Sequence, residues 1–279
     1  MQLQGKTATI TGAASGFGRE LALLCATKGM YLVLADVDAA GLDKTVALTG
    51  LPPEQVACQV CDVSQSGQVD AVSDSALERF GGTHLLFNNA GVIAAGPLWK
   101  STPQDWAWVF GVNVMGVANG IRSFVPKMLA RGEPAWVINT ASVAGLVCPP
   151  ELGVYSASKH AVVAMSECLH HELLQTGKPV GVSLLCPAYV DTGIADAGRH
   201  RPAALSTGNP DQTPILERTR DAMRAGRLSA ADVAAFTMDA VLAGRFYVLP
   251  HKKAAAGFAN RLQDFVAGRP PNNPLQGVS

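Results

Sequence analysis

The chain has 279 residues, 22 basic and 22 acidic side chains and 48% hydrophobic residues, so its formal net charge is zero. Balanced charge supplies no basic face for nucleic acid or an anionic membrane surface, and no apolar run approaches the ~18 residues that a membrane span needs. The length suits one α/β domain over 1–279, and the low charged fraction of 16% points to surface covered by self-association.

Elements alternate along the chain. Lys6 to Thr11 reads as a short strand, followed by a glycine-rich turn and a helix over Gly16 to Lys28. Tyr31 to Ala35 is an uninterrupted apolar run, as expected of a parallel strand buried on both faces. A helix over Ala39 to Leu48 and a strand over Gln55 to Val60 come next. Ser64 is expected to cap a helix reaching Phe80. Leu85 to Phe87 is a strand core ending at Asn88-Asn89-Ala90-Gly91. Thr102-Pro103 opens a helix that runs through Asn113 towards Pro126. Ala135 to Asn139 is a strand, Val154 to Leu174 a long helix, and Val180 to Leu185 another strand. Ser229 caps a helix over Ala230 to Leu242, and Phe246 to Leu249 forms the last strand. Repeated β–α units predict a doubly wound parallel sheet of about seven strands with helices on both faces.

Two stretches break the alternation. The segment 193–227 holds Gly198, Pro202, Gly208, Pro210 and Pro214, and reads as an irregular substrate lid. The tail 269–279, rich in Pro and Asn, is expected to be flexible. The beginning of the chain lacks the basic and apolar blocks of a secretory leader, so a cytoplasmic protein is expected. Cys58 and Cys61 form one Cys-x-x-Cys without a second pair nearby, and His170 and His171 are adjacent on a helix and point apart. No metal site is expected from either.

The turn Thr11-Gly12-Ala13-Ala14-Ser15-Gly16-Phe17-Gly18 lies between a strand and a helix. A pyrophosphate needs backbone N–H groups aimed at it, which a helix N-terminus supplies, and glycines allow the close backbone approach. Asp36 ends the second strand, where an acid accepts hydrogen bonds from ribose hydroxyls and repels a 2′-phosphate. This favours NAD over NADP, with Arg19 as the one basic side chain nearby.

Tyr155 and Lys159 are four residues apart, hence on one helix face. An ammonium beside a phenol favours the phenolate, and a fall of about 3 pK units requires about 4 kcal/mol. Ser142 follows the strand that ends at Asn139, at the carboxyl edge where a doubly wound sheet binds ligands.

Gly12, Gly16 and Gly18, Asn88-Asn89-Ala90-Gly91, Asn113, Ser142, and Tyr155 with Lys159 occur in the order and spacing of the short-chain dehydrogenase/reductase family, which this chain resembles from about Gly5 to Pro250. The resemblance implies a hydride transfer between NAD(H) and a secondary alcohol or ketone. It implies Tyr155 as general acid/base, Lys159 on the nicotinamide ribose, Ser142 on the substrate oxygen, and Asn113 holding a water in a proton relay. Cofactor contacts are implied at Gly12, Ser15, Gly16, Phe17, Gly18, Asp36, Asp62, Val63, Asn89, Ala90, Gly91, Tyr155, Lys159, Pro187, Val190 and Thr192. Ala188 departs from the pattern, standing where a glycine usually follows Pro187. The family also implies a homodimer or homotetramer on the helices from Thr102 and Val154.

The expected pocket residues Ile93, Ala94, Val143, Ala144, Leu152 and Tyr189 are mostly apolar, which suggests an apolar or aromatic small-molecule substrate. Phe124-Val125-Pro126, Pro187-Ala188 and Val248-Leu249-Pro250 are similar to bacterial dehydrogenases of lignin-derived benzylic alcohols. Two alternatives stay open: a non-catalytic NAD-binding regulator on the same fold, and a longer-chain sugar epimerase or dehydratase, for which the chain leaves little room.

Overall fold

A computed structural model describes residues 2–207 and 212–275. Seven parallel strands form one sheet: β1 (Thr7–Thr11), β2 (Tyr31–Asp36), β3 (Val56–Val60), β4 (Leu85–Asn88), β5 (Ala135–Thr140), β6 (Val180–Leu185) and β7 (Tyr247–Val248). Their order is β3-β2-β1-β4-β5-β6-β7, so the winding reverses between β1 and β4. That reversal opens a crevice at the carboxyl ends of those two strands.

The strands are apolar throughout because alternate residues feed two cores. Leu32 and Leu34 of β2 pack into one core, with Ile10 and Phe87, beneath α1 (Gly16–Thr27), α2 (Ala39–Thr49) and α8 (Ala230–Leu242). Val33 and Ala35 face the other core, with Leu86 and Val137, beneath α3 (Ser66–Phe80), α5 (Gly116–Arg131) and α6 (Gly153–Thr176). Helices therefore cover both faces, as the alternation predicts.

Several boundaries differ from the sequence reading. Ser64 caps nothing. Its N–H donates to Asp62 Oδ1 at 2.9 Å, and this side-chain turn delays the helix until Ser66, with Gln65 at the cap. The helix expected to run from Thr102 towards Pro126 is three pieces. α4 (Pro103–Phe110) starts with a reciprocal capping box between Thr102 and Asp105. A π turn follows (Gly111–Met115), and α5 continues past Pro126 to Arg131, where Gly132 at φ 69° ends it. Pro126 forgoes one hydrogen bond, while burial of Phe124, Val125 and Met128 around it keeps the helix intact.

The segment 193–227, expected to be an irregular lid, holds regular elements among its described residues. Gly193–His200 and Ala203–Leu205 are 3₁₀ turns, and Gln212–Arg224 forms α7. Pro214 lies in the first turn of α7, where its missing N–H costs nothing. Gly208 and Pro210 lie outside the described residues. After β7 the chain forms a further helix, α9 (Lys252–Val266), which the strand–helix alternation did not suggest. The described part of the tail is tied down rather than free. Asp264, 4% exposed, accepts from Arg269 Nε at 2.9 Å and Asn272 Nδ2 at 2.7 Å. Residues 276–279 lie outside the description. Among the described residues, no helix is long and apolar enough to cross a membrane, and no cluster of His, Cys, Asp and Glu could hold a metal ion.

Candidate active site

The glycine turn joins β1 to α1 and presents the first N–H groups of that helix to the crevice. Gly12 takes φ 67° and comes so close to the next strand end that a Cβ on it would lie 2.8 Å from Ala90 Cα. A Cβ on Gly18 would collide with the carbonyl oxygen of Gly12. These two glycines therefore permit one specific packing, and Gly16, at φ 51°, opens the helix against Thr192. Ser15 sits at the helix cap without using its hydroxyl on the cap.

Thr11 fastens the turn to the end of β4. Its Oγ1 accepts from Asn89 N at 3.0 Å and Ala90 N at 3.1 Å, while Asn89 Nδ2 donates back to Thr11 O at 3.0 Å. At the end of β2, Asp36 Oδ2 accepts from Ala14 N at 2.9 Å and Oδ1 from Asp38 N at 3.0 Å. Arg19 is occupied by the protein itself: Nε donates to Thr45 Oγ1 at 3.0 Å and Nη2 to Ala14 O. Asn119 Nδ2 holds Val63 O at 2.9 Å, which sets the Asp62-Val63 wall.

At the other end of the crevice, β5 delivers Ser142 and α6 delivers Tyr155 and Lys159. Lys159, 2% exposed, donates from Nζ to Thr140 O at 2.9 Å and lies 5.7 Å from the centre of the Tyr155 ring. Burial pushes the Lys159 pKa down from 10.5 to about 8. Burial also pushes the Tyr155 phenol up from 10.0 to about 12, against the lowering pull of the neighbouring Ser142 hydroxyl. In the protein chain by itself, then, desolvation outweighs the effects that would acidify the phenol. Ser142 Oγ accepts from Ala144 N at 3.1 Å and points its proton at Pro187 O, 3.4 Å away.

Asn113 is fully buried in the π turn. Its Nδ2 donates to Val92 O at 3.0 Å and Ser158 Oγ at 2.9 Å, and its Oδ1 accepts from Val92 N at 2.8 Å. The Asn113 side chain thus joins the strand-end loop to α6. A Cβ on Gly91 would meet both Asn113 Oδ1 and Lys159 Nζ at 3.4 Å, so the three positions adjoin.

One cleft of about 690 Å³ connects the two ends. Every site residue expected from the sequence lines it except Gly18 and Asn113, which shape it from behind. Of the expected substrate-side residues, Ile93, Val143, Ala144, Leu152 and Tyr189 line it, whereas Ala94 packs elsewhere with Trp108 and Val154. From the lid, Ile194, Pro202, Leu205 and Met223 complete an apolar wall. This segment is tied to α4 by Arg201, whose Nη1 meets Asp105 Oδ1 at 2.8 Å and whose guanidinium lies 4.8 Å from the Trp108 ring centre, and by Gln212 Nε2, which donates to Asp105 Oδ1 at 2.9 Å. Sequence reasoning missed His251, Pro274 and Leu275, which also line the cleft. The first follows β7 with no side-chain partner pattern to flag it, and the other two fall in a segment expected to be free.

Residues 6–202 match the family model described as short chain dehydrogenase. The chain is similar to a short chain dehydrogenase/reductase from Burkholderia phymatum solved in complex with NAD, at 51% identity and a TM-score of 0.96, with 99% of each chain covered. It is 30% identical over 283 residues to the CLA biosynthesis dehydrogenase/reductase of Lactiplantibacillus plantarum, covering 98% of both chains. It is 32% identical over 265 residues to the C alpha-dehydrogenase of Sphingobium sp., covering 94% of this chain and 86% of the other.

Proposed function

The chain belongs to the short-chain dehydrogenase family, oxidoreductases acting on CH–OH groups, and from that premise we propose that it moves a hydride between NAD(H) and an apolar or aromatic secondary alcohol or ketone, with Tyr155 as general acid/base. One observation carries the reading. Buried Tyr155 and Lys159, with a half-buried Ser142, stand at the apolar end of the cleft whose other end is the glycine cradle and Asp36.

The residues present suit a dinucleotide: the backbone at Gly12 and Gly16 leaves room that a Cβ would take, and the α1 N-terminus favours a pyrophosphate. Bound there, the cofactor supplies the hydride acceptor or donor and, when oxidised, a positive ring charge. Asp36 accepts the ribose hydroxyls and repels a 2′-phosphate, and Arg19 is tied to Ala14 and Thr45, which together favour NAD over NADP.

For ketone reduction Tyr155 starts in the right state, since a phenol at about 12 holds its proton at neutral pH and gives it to the carbonyl oxygen. For oxidation it must first lose that proton. The Lys159 ammonium, 5.7 Å from the ring centre, and the positive charge that an oxidised nicotinamide ring would add both favour the phenolate against burial. Ser142 turns its hydroxyl from Pro187 O to the substrate oxygen and fixes it beside Tyr155. The lid and the apolar wall keep water from the reacting carbon. Asn113 acts by holding α6 and the 89–93 loop in register.

The apolar wall of the cleft supports aryl alcohols as first candidates. The proposal includes a cytoplasmic homodimer or homotetramer built on α4 and α6, for which a monomer in sedimentation would be the contrary result. The test of the function is a panel of aryl and alkyl secondary alcohols with NAD and NADP in parallel, followed at the absorbance of the reduced cofactor. Turnover of aryl alcohols with NAD is expected. Activity confined to sugars or acyl thioesters, or faster turnover with NADP, would contradict it.

A further inference from the structure

We infer that Arg199 is a cofactor-binding residue: its guanidinium, carried by the lid segment, pairs with the pyrophosphate of a dinucleotide held at the glycine turn. This rests on the NAD reading and deepens it by adding a side chain from outside the sequence motifs.

The 3₁₀ turn Gly193–His200 starts and ends against the cofactor end of the cleft. At its start, Thr192 packs on the first residue of α1, its Cβ 3.1 Å from the place that a Cβ on Gly16 would take. At its end, His200 Nε2 lies 3.8 Å from Oδ2 of Asp38, the cap of α2. Arg199 is thereby held beside the stretch between the glycine turn and Asp36, and it lines the cleft. Its side chain folds back to the start of α1. The position that a Cβ on Gly193 would occupy has Arg199 Nη2 at 3.5 Å, Ser15 Oγ at 3.6 Å and Arg199 Nη1 at 3.7 Å. The guanidinium, the Ser15 hydroxyl and the first N–H groups of α1 therefore share one corner of the cleft.

Nη1 serves the turn itself, donating to Asp196 O at 3.0 Å and Gly193 O at 3.4 Å, whereas Nη2 and Nε have no hydrogen-bond partner among the described residues. The charge is uncompensated as well. Arg201, Arg218 and Arg220 of the same segment each meet a carboxylate, the last taking that of Asp196, and Arg199 meets none among the described residues. Arg19 is already turned to Ala14 O and Thr45. A dinucleotide brings a dianionic pyrophosphate into a cleft end that holds the carboxylates of Asp36, Asp38 and Asp62. Like charges repel there, and a helix N-terminus offsets them with only a partial charge. A guanidinium supplies a full charge and paired donors that match phosphate oxygens. Because Arg199 belongs to the lid segment, the same contact ties that segment to the bound cofactor.

The test titrates the full-length wild type, Arg199→Met and Arg199→Lys with NAD, ADP and adenosine by calorimetry. In Arg199→Met, affinity for NAD and ADP should fall about tenfold, the scale of one accessible charge-assisted bond, while adenosine binds within about twofold of wild type. The loss should shrink as sodium chloride rises from about 0.05 M to about 0.5 M, because salt screens a charge contact and spares packing. Arg199→Lys, which keeps the charge, should recover part of it. Hydrogen exchange adds a readout free of turnover: NAD should slow exchange across residues 193–205 in wild type, and less so in Arg199→Met. Equal NAD affinity in wild type and Arg199→Met would overturn the inference and leave the dehydrogenase reading standing. So would an equal loss for adenosine and ADP, or a loss indifferent to salt, either of which would make the side chain a support of its own turn. No binding of NAD to wild type would instead bring down the NAD reading, and the inference with it.

Discussion

Replacing Asn113 by Ala removes a junction rather than a reacting group. Its side chain makes three hydrogen bonds, part-buried ones to Val92 N at 2.8 Å and Val92 O at 3.0 Å and a buried one to Ser158 Oγ at 2.9 Å. Ser158 keeps its bond to Tyr155 O at 2.7 Å, but both main-chain groups of Val92 lose their partner. At about 1 kcal/mol for each bond, with Val92 half-buried and open to partial repair by water, Asn113→Ala should cost about 3 kcal/mol. For a chain of this size that corresponds to a fall of about 6 °C in Tm. Turnover should fall too, because the loop that carries Gly91 and the helix that carries Lys159 lose their common tie. Guanidinium denaturation at fixed protein concentration, together with kcat, checks both. Asn113→Asp should be no better, since a carboxylate has no donor for Val92 O or Ser158. A loss below 1 kcal/mol with unchanged turnover would refute the idea that this side chain is structural.

Three further outcomes follow from the same geometry. Arg201→Met removes the ion pair to Asp105, a pair 9% and 2% exposed, and leaves that carboxylate its 2.9 Å bond from Gln212 Nε2, so limited proteolysis within residues 201–224 should speed up and KM should rise more than kcat falls. An unchanged cleavage rate would argue that the lid is held elsewhere. Asp264→Ala frees Arg269 and Asn272, so Pro274 and Leu275 should leave the cleft and KM for apolar alcohols should rise severalfold while NAD affinity stays put. A KM equal to wild type would show that the tail contributes no wall. Lys159 gives a stability test with a defined sign. Its pKa is lowered from 10.5 to about 8, so its burial carries no penalty above pH 10.5 and the full penalty below pH 8. Relative to Lys159→Met, wild-type stability should fall by about 3 kcal/mol between pH 10.5 and 7, and a pH-independent difference in denaturation midpoints would contradict the buried charge.

The sheet was legible because strands such as Leu32 to Ala35 are apolar on both faces, and only a parallel strand between two helix layers needs that. The glycine cradle, Asp36, Ser142, Tyr155 and Lys159 were legible because their spacing is local or falls at strand ends. What stayed hidden depends on contacts between distant residues. α7 lay behind its prolines, which read as breakers until Pro214 is seen in the first turn. The tail looked free because its anchor, Asp264, is matched to Arg269 and Asn272 by geometry and by no motif. His251 gave no sign because its partner is a main-chain N–H sixty-three residues away. The phenol illustrates a deeper limit: a sequence displays the ammonium that would acidify Tyr155, but the opposing desolvation exists only once the site is buried.

The most direct measurement is Tyr155→Phe, with NAD affinity followed by calorimetry and aryl-alcohol oxidation followed as NADH formation. The variant removes one hydroxyl from a buried ring and leaves the glycine cradle, Asp36 and Lys159 in place. NAD binding within a few-fold of wild type and turnover reduced by at least a thousandfold are expected. Turnover within tenfold of wild type would mean that another group moves the proton, and the assignment of Tyr155 would fall.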